Sequence, residues 1–363
     1  ALEKALERKE LTNNEALELM KTQNKEFLAL ILTADQVRRL TIGNFVSFVV
    51  NRNINYTNIC INDCEFCAFK KNLGDPTAYL LSIDKIVEKS KEAWALGATE
   101  VCIQGGLHPD FDIFNFVDII QAVKKDIPEI HIHGFSPMEI FYGARKANLK
   151  IEEAIKILKE AELDSIPGTA AEIFSDNIRK IICPNKIDTQ TWIKIIKTAH
   201  HLGLPTTATI LYGHIETLED RVDHIQIIRE IQKETRGFTE FIPLAFMHRN
   251  TKLFKEGLVK KATTGAEDLK IYAIARLMLN GYIDNIQVSW VKLGPMFARV
   301  ALNAGANDIG GTLMEEHISR AAGASFGQYL PVEEIKKLIW GIDQIPIQRT
   351  TTYQFLRAFP KAN

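Results

Sequence analysis

An α/β chain folded as a (β/α)8 barrel of the TIM type, with a helical extension before the barrel and additions after it, is what this sequence predicts. Three observations point there. Short runs rich in β-branched and aromatic residues recur along the chain, eight of them can be counted, and long amphipathic stretches separate them. The 363 residues suit a barrel with extensions, and 46% apolar with 25% charged residues is the balance of a chain that supports its own core.

Residues 1–50 are expected to form the N-terminal helical extension. "ALEKALERKELTNNEALELM" spaces its apolar residues at helical intervals, and Thr12 stands three residues before Glu15, the spacing of a capping box. The barrel is assigned to residues 51–320. Its predicted strands are "INYTNIC" (54–60), "EVCIQGG" (100–106), "EIHIHGFS" (129–136) and "DSIPGT" (164–169). They continue with "PTTATILYG" (205–213), "FTEFIPLAF" (238–246), "NIQVSW" (285–290) and "NDIGGTL" (307–313). Helical segments such as "SIDKIVEKSKEAWALG" and "IEEAIKILKEAEL" alternate with them. Residues 321–363 are expected to pack on the barrel as a helix, "LPVEEIKKLIWGID", followed by an extended tail, "QIPIQRTTTYQFLRAF". No repeat or low-complexity linker divides the chain, which reads as one catalytic domain with additions.

Charge and apolar content narrow the partners. A net charge of −1, with lysines and acids interspersed, favours neither nucleic acid nor an anionic membrane. No run approaches the roughly 18–20 apolar residues of a membrane span. The charged opening lacks an apolar signal region, so a cytoplasmic protein is expected. Five cysteines are few for a secreted disulfide framework.

Three of the five, Cys60, Cys64 and Cys67, stand together as C-x3-C-x2-C after the first predicted strand. A structural zinc site takes four ligands and usually pairs two C-x2-C knuckles. Here Cys102 reads as a small buried hydrophobe, Cys183 stands alone before Pro184, and no histidine neighbours the trio in sequence. An iron–sulfur cubane takes one thiolate at each iron, so three cysteines leave one iron for a small molecule. Electron carriers close that position, whereas an enzyme can use it. The loop after a barrel strand is where barrel chemistry collects. An iron–sulfur electron carrier stands as the non-enzyme alternative.

On these residues the chain resembles the radical S-adenosylmethionine (radical SAM) superfamily. The resemblance implies a [4Fe–4S] cluster held by Cys60, Cys64 and Cys67, with SAM on the open iron as second cofactor. It also implies that Phe66 lies against the adenine and that Gln104, Gly105 and Gly106 approach the SAM amino group. Ser136 and Glu172 match positions that serve the SAM carboxylate and ribose. Glycines at that strand end suit a close backbone approach, although they also suit a plain turn.

Further stretches, "NRNINYTNICINDCEFCAFKK", "AYLLS", "IQGGLHPD", "IHIHGFSPMEI", "LDSIPGTAAEI", "PTTATILYGHIETLEDRVDHI" and "AGANDIGGTLMEEHISRAAGA", carry the resemblance over about residues 50–330. They are similar to one subgroup, which contains FO synthase and two radical enzymes of the futalosine route to menaquinone. "INYTNIC", "AYLLS" and "QGGLHPD" point to its tyrosine-using transferase branch. That resemblance implies a transferase joining the 4-hydroxybenzyl fragment of L-tyrosine to 5-amino-6-(D-ribitylamino)uracil on the route to coenzyme F420. It further implies an external one-electron reductant and a second radical SAM enzyme, FO synthase subunit 1, acting next. Aminofutalosine synthase or dehypoxanthine futalosine cyclase is the near alternative.

Polar residues at the predicted strand ends are candidates for the substrates: His108, His131, His133, Tyr212, His214, Asn307, Asp308 and Glu315. Of these, His131, His133, Tyr212, His214 and Asp308 are the catalytic candidates. Asp308, Glu315 and Arg249 are candidates for tyrosine's charged groups. His131 and His133 alternate about Ile132 and therefore share a strand face.

Overall fold

The computed structural model describes residues 1–361. Three helices, Leu2–Leu6, Asn13–Lys21 and Asn24–Ile42, precede the first strand. The capping box forms as expected: Thr12 accepts from the Glu15 amide and the Glu15 carboxylate accepts from the Thr12 amide at 2.8 Å. The helical extension ends earlier than residue 50, however. Phe45–Val49 is a strand (β1), and after Val50 the chain continues in the same direction as Asn51–Asn55 (β2). "FVSFVV" is β-branched and aromatic, and its alternate burial of Val46 and Phe48 is the signature of a strand facing a core.

The remaining strands are Glu100–Gln104 (β3), His131–Gly134 (β4), Thr206–Tyr212 (β5), Phe238–Ala245 (β6), Asp308–Gly311 (β7), Ile345–Arg349 (β8) and Phe355–Ala358 (β9). β2, β3 and β4 pair in parallel, as do β5 with β6 and β1 with β7. Two short segments, each held by a pair of parallel bridges, complete the ring. His133 pairs with Ser165 and Ile166 with Thr206, while Phe241 pairs with Ile286 and Gln287 with Asp308. The expected eight barrel strands are thus present, two of them reduced to bridges. In "DSIPGT", Pro167 lacks an amide to continue the ladder, and a Cβ on Gly168 would lie 2.1 Å from the Thr207 carbonyl oxygen. In "NIQVSW" the chain turns into the short helix Trp290–Leu293.

The first expected strand, 54–60, is displaced to 51–55, so the cysteines leave the sheet and sit on its following loop. At the C-terminus the helix Val332–Trp340 is present, and the tail forms a β8–β9 hairpin whose β8 pairs in parallel with β1. Parallel strands covered on both faces need apolar residues throughout, and β5 is buried at every position. The helices supply the outer layer: Ile151–Glu160 buries Ala154, Ile155 and Leu158 along one stripe. Burial of such an isoleucine or leucine contributes about 1.5–3 kcal/mol each. Among the described residues no helix is long and apolar enough to cross a membrane.

Candidate active site

The loop from Tyr56 to Lys71 is fixed by its backbone. The Gly106 amide donates to the Thr57 carbonyl at 2.9 Å and the Cys60 amide to the Lys71 carbonyl at 3.1 Å. The Ile61 amide donates to Leu107 at 3.0 Å, and the Glu65 amide to Ile182 at 2.9 Å. Tyr56 anchors the start of the loop: its ring stacks on Phe111 at 5.8 Å and its hydroxyl donates to Glu139 at 2.9 Å. The loop is therefore held by elements distant in sequence.

Cys60, Cys64 and Cys67 line one cavity of about 240 Å³ at the C-terminal mouth of the barrel. Phe66, Gln104, Gly105, Gly106, Ser136 and Glu172 line the same cavity, so all the residues expected to serve cluster and cofactor come together. Burial pushes the Cys64 and Cys67 thiols above their ordinary range, and each is raised further by a neighbouring thiol of the trio. Thiolates buried together need a positive charge among them, which suits the irons of a cluster. No three cysteine, histidine or acidic side chains among the described residues converge to hold a single ion. A cubane takes its thiolates at separate corners, so the donor set fits a cluster.

The glycine pair at the end of β3 has a steric reason. A Cβ on Gly105 would lie 2.7 Å from the Tyr56 ring. One on Gly106 would lie 2.2 Å from the Ile59 carbonyl oxygen and 2.9 Å from the Cys60 Cβ. Gly106→Ala is therefore expected to push the cluster loop away, lowering the iron held per chain and costing about 1–3 kcal/mol of stability. Iron assay and urea titration measure both, and a variant unchanged in each would contradict this reading.

Several residues around the cavity are absent from the sequence-based candidates. Glu139 is buried, accepts from the Ser136 amide (2.7 Å) and hydroxyl (2.6 Å), and accepts from the Gly105 amide at 3.1 Å. It thereby ties the glycine turn to the helix Pro137–Lys146; its signal was the S-x-x-E capping box in "SPME". Burial raises its carboxyl against these donors. Ser136 faces the cavity but spends its hydroxyl on that cap. Lys186 pairs with Glu172 at 2.5 Å and lies 5.1 Å from the Phe66 ring centre. Burial opposes its charge, but Glu172 and nearby thiols hold its ammonium above the usual lysine range. Lys292, on the helix following the seventh barrel strand, also lines the cavity. Burial pulls its amine below the usual range, opposed by Glu316 and Glu172, and among the described residues it has no ion-pair partner.

The five catalytic candidates lie elsewhere. His131 and His133 do share the barrel's inner face, but both bind the Ser165 hydroxyl at 2.7 Å and face it rather than the cavity. Burial lowers them to about 4 and about 3, so both are neutral near pH 7. The Tyr212 hydroxyl donates to Asp268 at 2.8 Å, on the helix Gly265–Leu279 outside the barrel. His214 is buried against the Leu211 carbonyl (3.0 Å) and Glu216 (3.0 Å). Asp308 begins β7 rather than ending it, so it sits at the closed end, bound to Arg349 at 2.6 Å and Ser47 at 2.5 Å. Asn307 accepts from Arg276 at 2.7 Å, and Glu315 pairs with Arg52 and Lys89 at 2.7 Å. His108 packs on Phe111, and Arg249 on Gly323.

The radical SAM superfamily matches residues 54–228, and the CofH/MqnC C-terminal region matches residues 235–362. Methylornithine synthase (PylB) superposes with a TM-score of 0.76 at 20% identity, covering 95% of this chain and 97% of that one. The hydrogenase maturase HydG from Carboxydothermus hydrogenoformans superposes at 0.75 with 16% identity, covering 97% and 79%. The fold and the cysteine loop define the class, a radical SAM barrel enzyme.

Full-length relatives narrow it. The 5-amino-6-(D-ribitylamino)uracil–L-tyrosine 4-hydroxyphenyl transferase of Methanocaldococcus jannaschii is 54% identical over 351 residues, 96% of this chain and 98% of that one. Its counterpart in Methanothermobacter thermautotrophicus is 51% identical over 353 residues, covering 97% and 96%. The chain belongs to this family of radical SAM 4-hydroxyphenyl transferases.

Proposed function

We propose that this chain joins the 4-hydroxybenzyl fragment of L-tyrosine to 5-amino-6-(D-ribitylamino)uracil, a step in the biosynthesis of the deazaflavin FO. The observation that carries the reading is the 54% identity, spread over nearly all of both chains, to a transferase of that name. The cavity supports it: three thiols and a glycine turn share its wall with the charged pair Lys186–Glu172 and the free Lys292.

Cys60, Cys64 and Cys67 would hold the [4Fe–4S] cluster. Phe66, Gln104, Gly105, Gly106 and Glu172 would hold SAM, with Ser136 at the same wall engaged in its helix cap. Bound there and given an external electron, cluster and SAM would supply one-electron radical chemistry. Glu172, held by Lys186, keeps one oxygen for a hydroxyl donor, while Lys186 beside the thiols offers charge to a carboxylate at the cluster. Phe66 presents an aromatic face at the same wall. The apolar remainder, including Leu211, Leu244, Phe246 and Met247, excludes water from a reactive intermediate.

Lys292 is the cation left for the tyrosine carboxylate. Lys292→Met is expected to raise the KM for tyrosine by about tenfold or more, the range for losing a charge-assisted hydrogen bond. SAM binding, read from the cluster's electron paramagnetic resonance, is expected to persist. A variant with unchanged tyrosine KM would remove Lys292 from this role.

The direct test incubates anaerobically reconstituted, reduced protein with SAM, tyrosine and the diaminouracil. A tyrosine-derived adduct of the uracil, identified by mass, is the expected result, and FO synthase subunit 1 would act on it next. Absence of adduct with turnover of a futalosine substrate would overturn the reading in favour of the menaquinone branch. Cluster without SAM cleavage would favour an electron carrier.

A further inference from the structure

The cysteine loop and the segment that follows β6 are packed together at the barrel mouth. The Leu253 amide donates to the Glu65 carbonyl at 3.1 Å, and Lys252 pairs with the Glu65 carboxylate at 2.9 Å. The Val259 amide returns to the Leu253 carbonyl at 3.1 Å, which brings Lys260 back to the same place. Asn250 reaches the loop after β7, its Nδ2 donating to the Ala321 carbonyl at 2.8 Å. Residues 56–71, residues 247–261 and Arg320 therefore share one surface. A recess of about 720 Å³ within it takes Lys71, Asn250 and Arg320 into its lining and borders the cluster cavity through Asn58, Ala68 and Phe69.

This surface is charged in a way the whole chain is not. Residues 56–71 and 247–261 hold seven lysines and arginines against three acids, in a chain of net charge −1. Two of those acids are already met, Asp63 by Lys70 at 3.3 Å and Glu65 by Lys252. In the recess, Glu315 is met by Lys89 at 2.7 Å. Arg249, Lys255, Lys260 and Arg320 are exposed and Lys71 is half-buried, and among the described residues none of the five has an ion-pair partner. The exposed apolar side chains Ile61, Leu73 and Leu258 stand among them. Unpaired cations interspersed with exposed apolar groups suit a transient protein contact steered by charge.

Neither substrate accounts for these cations. Tyrosine is a zwitterion, the ribitylaminouracil is neutral, and the cavity has Lys186 and Lys292 of its own. What the chemistry still requires is an electron from outside. Electron transfer weakens steeply with distance, so a donor has to approach the cysteine loop. That loop opens on this face, whereas the other end of the barrel is closed by Arg349 and Asp308.

We propose that this surface is the docking site of an acidic one-electron carrier protein. The carrier loses one electron and the cluster gains it, with no bond made or broken. The inference rests on the cluster proposed above and needs neither substrate.

The test uses the full-length, cluster-loaded protein, reduced beforehand, and an acidic flavodoxin in its oxidised form, with tyrosine and the diaminouracil left out. The electron then returns through the same contact, and the absorbance of the one-electron-reduced flavin gives the second-order rate. Lys255→Glu combined with Lys260→Glu is expected to lower that rate about tenfold or more at low ionic strength. The loss should fade near 1 M salt, where charges are screened beyond about 3 Å. Oxidation by a small neutral quinone is expected to be unchanged. So is transfer to flavodoxin in Lys125→Glu, near the C-terminal end of the helix Ile113–Asp126 and away from the mouth.

Equal flavodoxin rates in the wild type and the double variant, or an equal loss in Lys125→Glu, would overturn the docking site. Should the double variant hold no cluster, the wild type decides: a rate that did not fall with salt would overturn the proposal. Sedimentation of the wild type as a dimer that the double variant breaks would give the surface to a second copy of this chain and overturn it too. A wild type without a cluster would sink this inference and the cluster assignment together. Absence of the uracil adduct would sink only the proposed function.

Discussion

Replacing Cys64 by alanine is expected to leave a folded, colourless protein that retains no iron–sulfur cluster and forms no product. The loop does not depend on the thiol for its shape. Its backbone is pinned by the Cys60–Lys71, Glu65–Ile182 and Leu253–Glu65 hydrogen bonds, and Cys64 contributes only a small side chain to the cavity wall. The cluster does depend on it, because a cubane already short of one protein thiolate would be left with two. Iron and sulfide assays, the visible spectrum and circular dichroism separate the two effects.

The informative control is Cys183. It is buried and close enough to Cys64 to disfavour that thiol's ionisation. Cys183→Ala is expected to retain both cluster and SAM cleavage, since the fourth corner belongs to the cofactor. Cys102→Ala should do the same, its sulfur being a buried acceptor for the Gln104 amide at 3.1 Å. If Cys183→Ala lost the cluster as completely as Cys64→Ala, the site would have four protein ligands. The open-iron chemistry would then be withdrawn.

The second large effect lies at the opposite end of the barrel. Arg349→Met is expected to destabilise the protein by about 3–5 kcal/mol, the usual cost of stranding buried charge. Arg349 meets Asp308 through Nε at 2.6 Å and a second nitrogen at 3.1 Å, and reaches Glu240 at 3.5 Å. Tyr353 adds its hydroxyl to Glu240 at 2.6 Å and its ring to the guanidinium at 3.9 Å. Both acids are almost wholly buried, so removing the one cation leaves two carboxylates facing each other. The β8–β9 hairpin thus closes the barrel floor by charge as well as by strand pairing.

The pH dependence has a definite sign. Burial, with the nearby Asp308, raises Glu240 to about 7 against the opposing pull of Arg349. A carboxyl with a raised folded-state pKa contributes stability below its unfolded value and loses that contribution as pH rises through the folded one. Arg349→Met removes the pull that favours ionisation, so its deficit should be smaller near pH 5 and larger near pH 8. Urea titrations of the apoprotein at the two values measure this. A deficit under about 1 kcal/mol, or one that grew on acidification, would contradict the charge argument.

How far the sequence reached differs by kind of residue. The cluster cysteines and the glycine turn were legible because each group falls within a few consecutive positions. Glu139 carried a capping-box signal in "SPME" that was there to be used. Lys186 and Lys292 had none, being single polar residues whose charged neighbours lie 14 to 120 positions away: Lys186 meets Glu172, and Lys292 senses Glu316 and Glu172. The strand "FVSFVV" was also legible by its alternation, yet the preceding helices absorbed it.

The catalytic candidates show the limit most plainly. A barrel strand has a mouth end and a floor end, and alternation along it says which residues point inward but not at what depth. Shifting a boundary by a few residues moved Asp308 from one end to the other, where Arg349 neutralises it. His131 and His133 kept their inward face and are both bound to Ser165, outside the lining of the cluster cavity. Local spacing, cap chemistry and strand count were determined by the sequence itself, since each depends on contacts between near neighbours. Which charges are paired and which end of a strand meets solvent were decided only by the tertiary structure, because those depend on groups brought together from opposite ends of the chain.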